Sequence, residues 1–205
     1  MNAGDRRRQL LEAALDLFSR KGFFGVTTKE IAATAGVTEA IIFRHFPSKQ
    51  ALYTAVLAAK SEECSSAEWF AEVRERMDRM DDAGVLRTLA ARIIANYRID
   101  GRVERMMWFA ALEGHEVGLA HYRSLAQPVV DLLLTYIQSR QKEGAMKEFE
   151  PVLVIAAIAG IAQNYAIHTE FFEFRPVVIE DSKAVETFTN ILMGGLVQKK
   201  RRIRK

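Results

Sequence analysis

Residues 25–57 read GVTTKEIAATAGVTEAIIFRHFPSKQALYTAVL, and three helix starts are packed into that short stretch. Thr27 followed by Glu30 has the form of a capping box, in which each residue serves the other's backbone amide. The helix it opens buries Ile31, Ala32 and Ala35 and stops at Gly36. Thr38 offers the next N-cap directly after the Ala35-Gly36-Val37 turn, and that helix runs through Ile42 to Phe46, ending before Pro47. Ser48 caps a further helix carrying Leu52, Tyr53, Val56 and Leu57, predicted to continue to about Arg76. Two short helices joined by a three-residue turn containing glycine make a helix-turn-helix.

Working outward, Leu11, Ala14, Leu15 and Phe18 form one apolar stripe on a helix from Arg6 to Lys21, with Gly22 placed for a left-handed C-cap. Downstream, 3.6-residue periodicity predicts helices near 82–99, 102–115, 118–143, 151–173 and 181–198. Asp100-Gly101, Gly114 to Gly118, Gly144 and the 174–181 stretch holding Pro176 mark the breaks, and Pro128 should kink the helix that contains it. The expected fold is all-α with about nine helices. A three-helix helix-turn-helix domain spans 1–50, residues 48–76 connect, and 51–205 form a second helical domain.

Composition narrows the function. The 205 residues carry 29 basic and 26 acidic side chains, but unevenly: the segments 1–60, 61–195 and 196–205 have net charges of +4, −7 and +6. Basic ends around an acidic middle point to a terminal segment meeting a polyanion. A single Cys64 excludes an internal disulfide or a Cys-rich zinc site, and His45, His115, His121 and His168 show no metal-ligand spacing. No metal or cofactor is expected. The N-terminus lacks a signal-peptide pattern, and the apolar run from Val152 stops at Gln163-Asn164, short of the ~20 residues that span a bilayer. A cytoplasmic protein without a membrane partner is expected.

The motif in residues 25–57 resembles the DNA-binding domain of the tetracycline-repressor (TetR) family. That family's pattern, T-x-x-x-I-A-x-x-A-G-V-S/T-x-x-x-L/I-Y/F-x-H-F-x-S/N-K-x-x-L, has a counterpart here at every fixed position. The resemblance implies a homodimeric transcription regulator, a repressor released from a palindromic double-stranded operator by a small-molecule effector. It also implies that Thr28, Lys29, Thr38, Glu39, Ala40, Phe43, Arg44, His45 and Lys49 lie at the DNA. Chemistry agrees: Lys29 can donate to guanine and Glu39 can accept from cytosine. Thr28, His45 and Lys49 are placed for phosphates, the last at a helix N-terminus. Phe43 stands where the family usually has Tyr, leaving apolar contact with a thymine methyl.

An effector pocket is expected among the middle helices. Tyr97, Met106, Met107, Phe109 and Ala110 would supply its apolar wall, with Glu113, His121, Tyr122 and Leu125 beside them. Asn164, Tyr165, His168 and Phe172 would close it. Asn164 and His168 are four residues apart on an apolar helix, so they either bond each other or face a cavity. The apolar helices at 151–173 and 181–198 suit a two-fold four-helix interface. An all-α enzyme using Glu113, His115, Glu116 and His121 is the alternative, which lacks a nucleophile-base pairing or a ligand triad.

Overall fold

The computed structural model describes residues 3–63, 66–174 and 177–197. Its helices are α1 (Ala3–Lys21), α2 (Thr28–Thr34), α3 (Glu39–His45), α4 (Lys49–Glu63), α5 (Ser66–Asp78), α6 (Asp82–Glu113), α7 (Glu116–Lys142), α8 (Pro151–Glu170) and α9 (Asp181–Leu196). The described residues form no strand. One antiparallel bridge pairs Met146 with Val197. Cys64, Pro176 and the basic tail from Lys199 lie outside the described residues.

The all-helical expectation holds, with two differences. The single helix expected from Ser48 to about Arg76 is two, α4 and α5, and α5 opens at Ser66, a residue type that favours helix starts over interiors. The helices expected at 82–99 and 102–115 run on as α6, but Asp100 sits at φ −157° and ψ 85°, so the predicted break survives as a kink. The Asp100 carboxylate accepts from the amide and guanidinium of Arg102, satisfying donors that the kink exposes. Those bonds, Arg102's side chain foremost, hold its pKa below the usual carboxylate value. α7 continues through Pro128.

The chain divides into two compact units, one of 1–65 with 100–125, the other of 66–99 with 126–205. In the first, Leu10, Ala14 and Phe18 of α1, Ile31 of α2, Ile42 of α3, Leu52, Tyr53 and Val56 of α4, and Met106 of α6 share one core. α3 has seven residues and buries only Ile42 within its length, with Phe46 at its C-cap. Truncating such a buried isoleucine costs about 2–5 kcal/mol, so α3's placement hangs on that anchor.

In the second unit, Val85, Leu86 and Leu89 of α6 pack with Leu133 and Ile137 of α7 and Val154, Ile155 and Ile158 of α8. Asp82 is buried there and accepts from Tyr136 Oη and from both Arg140 Nε (2.8 Å) and Nη2 (3.0 Å). Arg98 donates bidentately to Asp181 at 2.8 and 2.9 Å and to Thr169 at 3.0 Å, which ties α6, α8 and α9 together.

By length and composition α8 is apolar enough to cross a membrane, with a window of mean hydropathy 1.5. The sequence reading missed this because it stopped at Gln163-Asn164, which are polar but uncharged. One stripe of α8 is buried (Val154, Ile155, Ile158, Ala162, Ala166), while Val152, Leu153, Ala156, Ala157 and Gly160 are exposed.

Candidate nucleic-acid interface

The capping box forms as the sequence demands. Thr27 N–H donates to Glu30 Oε2 at 2.8 Å, and Glu30 N–H donates to Thr27 Oγ1 at 3.2 Å. Lys21 adds a 2.8 Å ion pair to Glu30, and this contact, with the Thr27 bonds, holds the carboxyl down to about 2. Gly36 supplies the φ of +62° that the α2–α3 turn requires, and Val37 N–H closes back on Ala32 O at 2.9 Å. Gln9 of α1 braces that turn by donating to Ala35 O at 2.9 Å.

With Ile42 and Phe46 turned inward, α3 leaves Ala40, Phe43 and Arg44 exposed and Glu39 and His45 half-buried. Phe43 is 49% exposed, a large apolar ring with nothing to cover it on this unit. Thr38 stands at the N-cap with extended backbone, but its hydroxyl makes no capping bond. Lys29 is exposed on α2. Thr28 Oγ1 donates to Glu39 Oε1 at 2.6 Å, which fastens the start of α2 to the start of α3. Its proton is thereby committed, so in this conformation Thr28 does not offer a donor to phosphate. His45 Nε2 is buried with no hydrogen-bond partner among the described residues.

Lys49 departs from expectation. Its ammonium turns into the domain, donating to Phe23 O at 2.9 Å and Val26 O at 2.8 Å, and lies 4.3 Å from the centre of the Phe23 ring. Burial lowers its pKa, partly opposed by Glu113. The phosphate contact expected at the N-terminus of α4 is therefore replaced by a brace on the segment entering α2. Sequence reading also missed the grip on Phe23, whose N–H donates to Glu113 at 2.9 Å and whose ring stacks on His115. Ninety positions separate Phe23 from Glu113, beyond any local spacing rule.

The thirteen expected effector residues fall in both units. Met106 is a core member of the first rather than pocket wall, since α6 packs it with residues of α1 and α4, Met107 packs beside it, and Ala110 is buried. Phe109 is half-buried, and Tyr122 and Leu125 are exposed. His121 Nε2 pairs with Ser61 Oγ at 3.1 Å, and burial lowers its pKa. In the second unit Tyr97 is buried, accepting from Gln163 at 3.4 Å. Asn164, Tyr165 and His168 line a cavity of about 1140 Å³ with Ile161, Val178 and Phe188, while Phe172 rests against the His168 ring.

The first unit is built on a helix-turn-helix, and the other elements of the described residues are helices. Residues 10–56 match the family model described as bacterial regulatory proteins, tetR family. It is 48% identical over 54 residues to the uncharacterized HTH-type transcriptional regulator YvkB of Bacillus subtilis, covering 26% of this chain and 29% of that protein. It is also 48% identical over 52 residues to the regulator RutR of Escherichia coli, covering 25% and 24%. The matched segment thus spans under a third of those curated relatives. In fold, the chain resembles AibR, solved in complex with isovaleryl coenzyme A and operator DNA. The TM-score is 0.68 at 17% identity, covering 93% of this chain and 99% of that one.

Proposed function

We propose that this chain is a sequence-specific, double-stranded-DNA-binding transcription regulator, a dimeric repressor released from a palindromic operator by a small, largely apolar effector. The observation that carries the reading is α3, anchored through Ile42 and Phe46 with Ala40, Phe43 and Arg44 uncovered, beside Lys29 of α2. In this reading α3 enters the major groove. Lys29 and Glu39 read base edges, Phe43 meets a thymine methyl, and Arg44, Thr38 and His45 approach the backbone.

The second unit carries the rest. Leu153, Ala157 and Gly160 of α8 and Ile191 and Gly194 of α9 are exposed along their helices, and small residues permit close approach of a second copy. The cavity lined by Asn164 and His168 is the candidate effector site, with Ile161, Val178 and Phe188 as apolar wall and the paired Arg98 and Asp181 at its polar side. Such a regulator works in the cytoplasm and needs no catalysis. The catalytic alternative has less support, because Glu113 and His115 are engaged with Phe23 and His121 is bonded to Ser61.

The test is retention of duplex DNA on a native gel as salt rises. The wild type retains DNA with a steep salt dependence, and a Lys29→Ala, Phe43→Ala, Arg44→Ala triple variant loses it. Equal retention by both would remove α3 from the interface.

A further inference from the structure

Phe23 is held from three sides within the first unit. Its N–H donates to Glu113 Oε2 at 2.9 Å, its carbonyl accepts from Lys49 at 2.9 Å, and its ring stacks on the His115 imidazole at 4.0 Å and 13°. Glu113 and His115 flank Gly114, whose φ of +64° turns the chain from α6 into α7. The corner is tight: a side chain at Gly118 would strike Ala110 and the Tyr53 hydroxyl. His115 is 6% exposed, meets the Tyr53 ring edge-on at 4.7 Å, and keeps its Nδ1 buried without a hydrogen-bond partner among the described residues.

A neutral imidazole carries one N–H, whereas an imidazolium carries two N–H groups and a full charge. In this corner the added charge is buried and the Nδ1 position has no acceptor among the described residues. The titratable groups facing the ring are Lys49 and Tyr53 from α4 and Glu113 from the corner itself. Lys49 opposes a second positive charge. Glu113 favours one, but its carboxylate already accepts from Phe23 and neighbours Lys49. Burial is the largest influence and keeps the imidazole's pKa below the usual histidine value.

We propose that His115 is a positioning residue for the DNA-reading helices, and that its protonation loosens the grip on Phe23 and so makes DNA binding acid-sensitive. The proposal rests on the DNA-binding reading above. Phe23 leads into Val26, which Lys49 also holds, and Thr27 then opens α2. Freeing Phe23 frees the start of α2, and the Thr28–Glu39 bond passes that freedom to α3. The sign follows from linkage. An opened corner binds a proton near the ordinary histidine pKa of ~6.5, the closed corner only at lower pH, so acid favours the open form. Closure is complete above about pH 6.5 and weakens below it, by at most about tenfold per pH unit.

The experiment compares wild type with His115→Phe, which keeps a ring against Phe23 but cannot titrate. Amide exchange without DNA should show the Phe23 protection factor falling about three- to tenfold between pH 7.5 and 5.5 in wild type and holding steady in the variant. The affinity of wild type relative to variant for a duplex selected from a random pool at pH 7.5 should fall by the same factor. Every group other than His115 is common to both proteins and cancels in that ratio. His115→Gln, equally unable to titrate, substitutes if the phenylalanine variant does not fold. A wild-type change below about threefold, or the same fall in the variant, overturns the proposal. Failure to select any duplex at pH 7.5 overturns the DNA reading instead, and the amide measurement still decides the grip.

Discussion

Replacing Lys49 by Met separates its two possible roles. The substitution keeps the stem and removes the ammonium, leaving the carbonyls of Phe23 and Val26, now at 2.9 and 2.8 Å from Nζ, without their donor. A hydrogen bond from a charged group contributes about 1.5–3 kcal/mol, and this site is half open to water, so the low end applies to each. Together they amount to about 3 kcal/mol. The expected result is a urea midpoint lowered by about 1 M at an ordinary m-value. A phosphate-contacting lysine behaves differently. Removing one from each half of a dimer reduces the slope of log K against log salt by about 1.8 without touching stability. The structure predicts lowered stability with the salt slope unchanged, read by urea unfolding and a salt titration on duplex DNA. An unchanged midpoint together with a slope reduced by nearly two would refute the brace.

Lys29→Ala and Glu39→Ala should each relax preference at one base pair per half-site, costing about 1–3 kcal/mol there, which binding to a panel of single-substituted duplexes measures. Ile42→Ala should destabilise the first unit by about 2–5 kcal/mol in thermal unfolding, because it removes the one side chain buried within α3. Ala157→Arg or Ile191→Arg should give monomers by sedimentation, since both positions are exposed on the α8 and α9 stripes; a dimer unaffected by either would place the interface elsewhere. Glu30, held down to about 2, stabilises the folded state above its ordinary pKa near 4.5, and that contribution disappears as pH falls toward 2. Glu30→Gln should flatten this part of the acid-unfolding curve.

The legible parts of the molecule are those written in local spacing. The Thr27–Glu30 box, the left-handed glycines at 22, 36, 114 and 144, and the Ser48 cap, which accepts from Ala51 N–H at 3.0 Å, all follow from residues within four positions of each other. The burial of Ile42 and Phe46 follows from helical period. What sequence could not give is where long side chains turn. Lys49 at a helix N-terminus has the chemistry of a phosphate ligand, and only the fold brings two carbonyls from positions 23 and 26 beneath it. Met106 reads as a pocket wall because apolar residues line cavities and cores alike, and packing with α1 and α4 makes it core. Asn164 and His168 posed a choice between bonding each other and facing a space, and both line the cavity of the second unit.

The most direct test of the account is selection of bound sequences from random duplex DNA by the wild-type chain at physiological salt. The account predicts enrichment of a palindrome whose half-sites are centred about one DNA turn, ~34 Å, or a little more apart, with a Phe43→Ala or Glu39→Ala protein losing preference inside each half-site. Enrichment of no sequence, or of an asymmetric one indifferent to both substitutions, would contradict it.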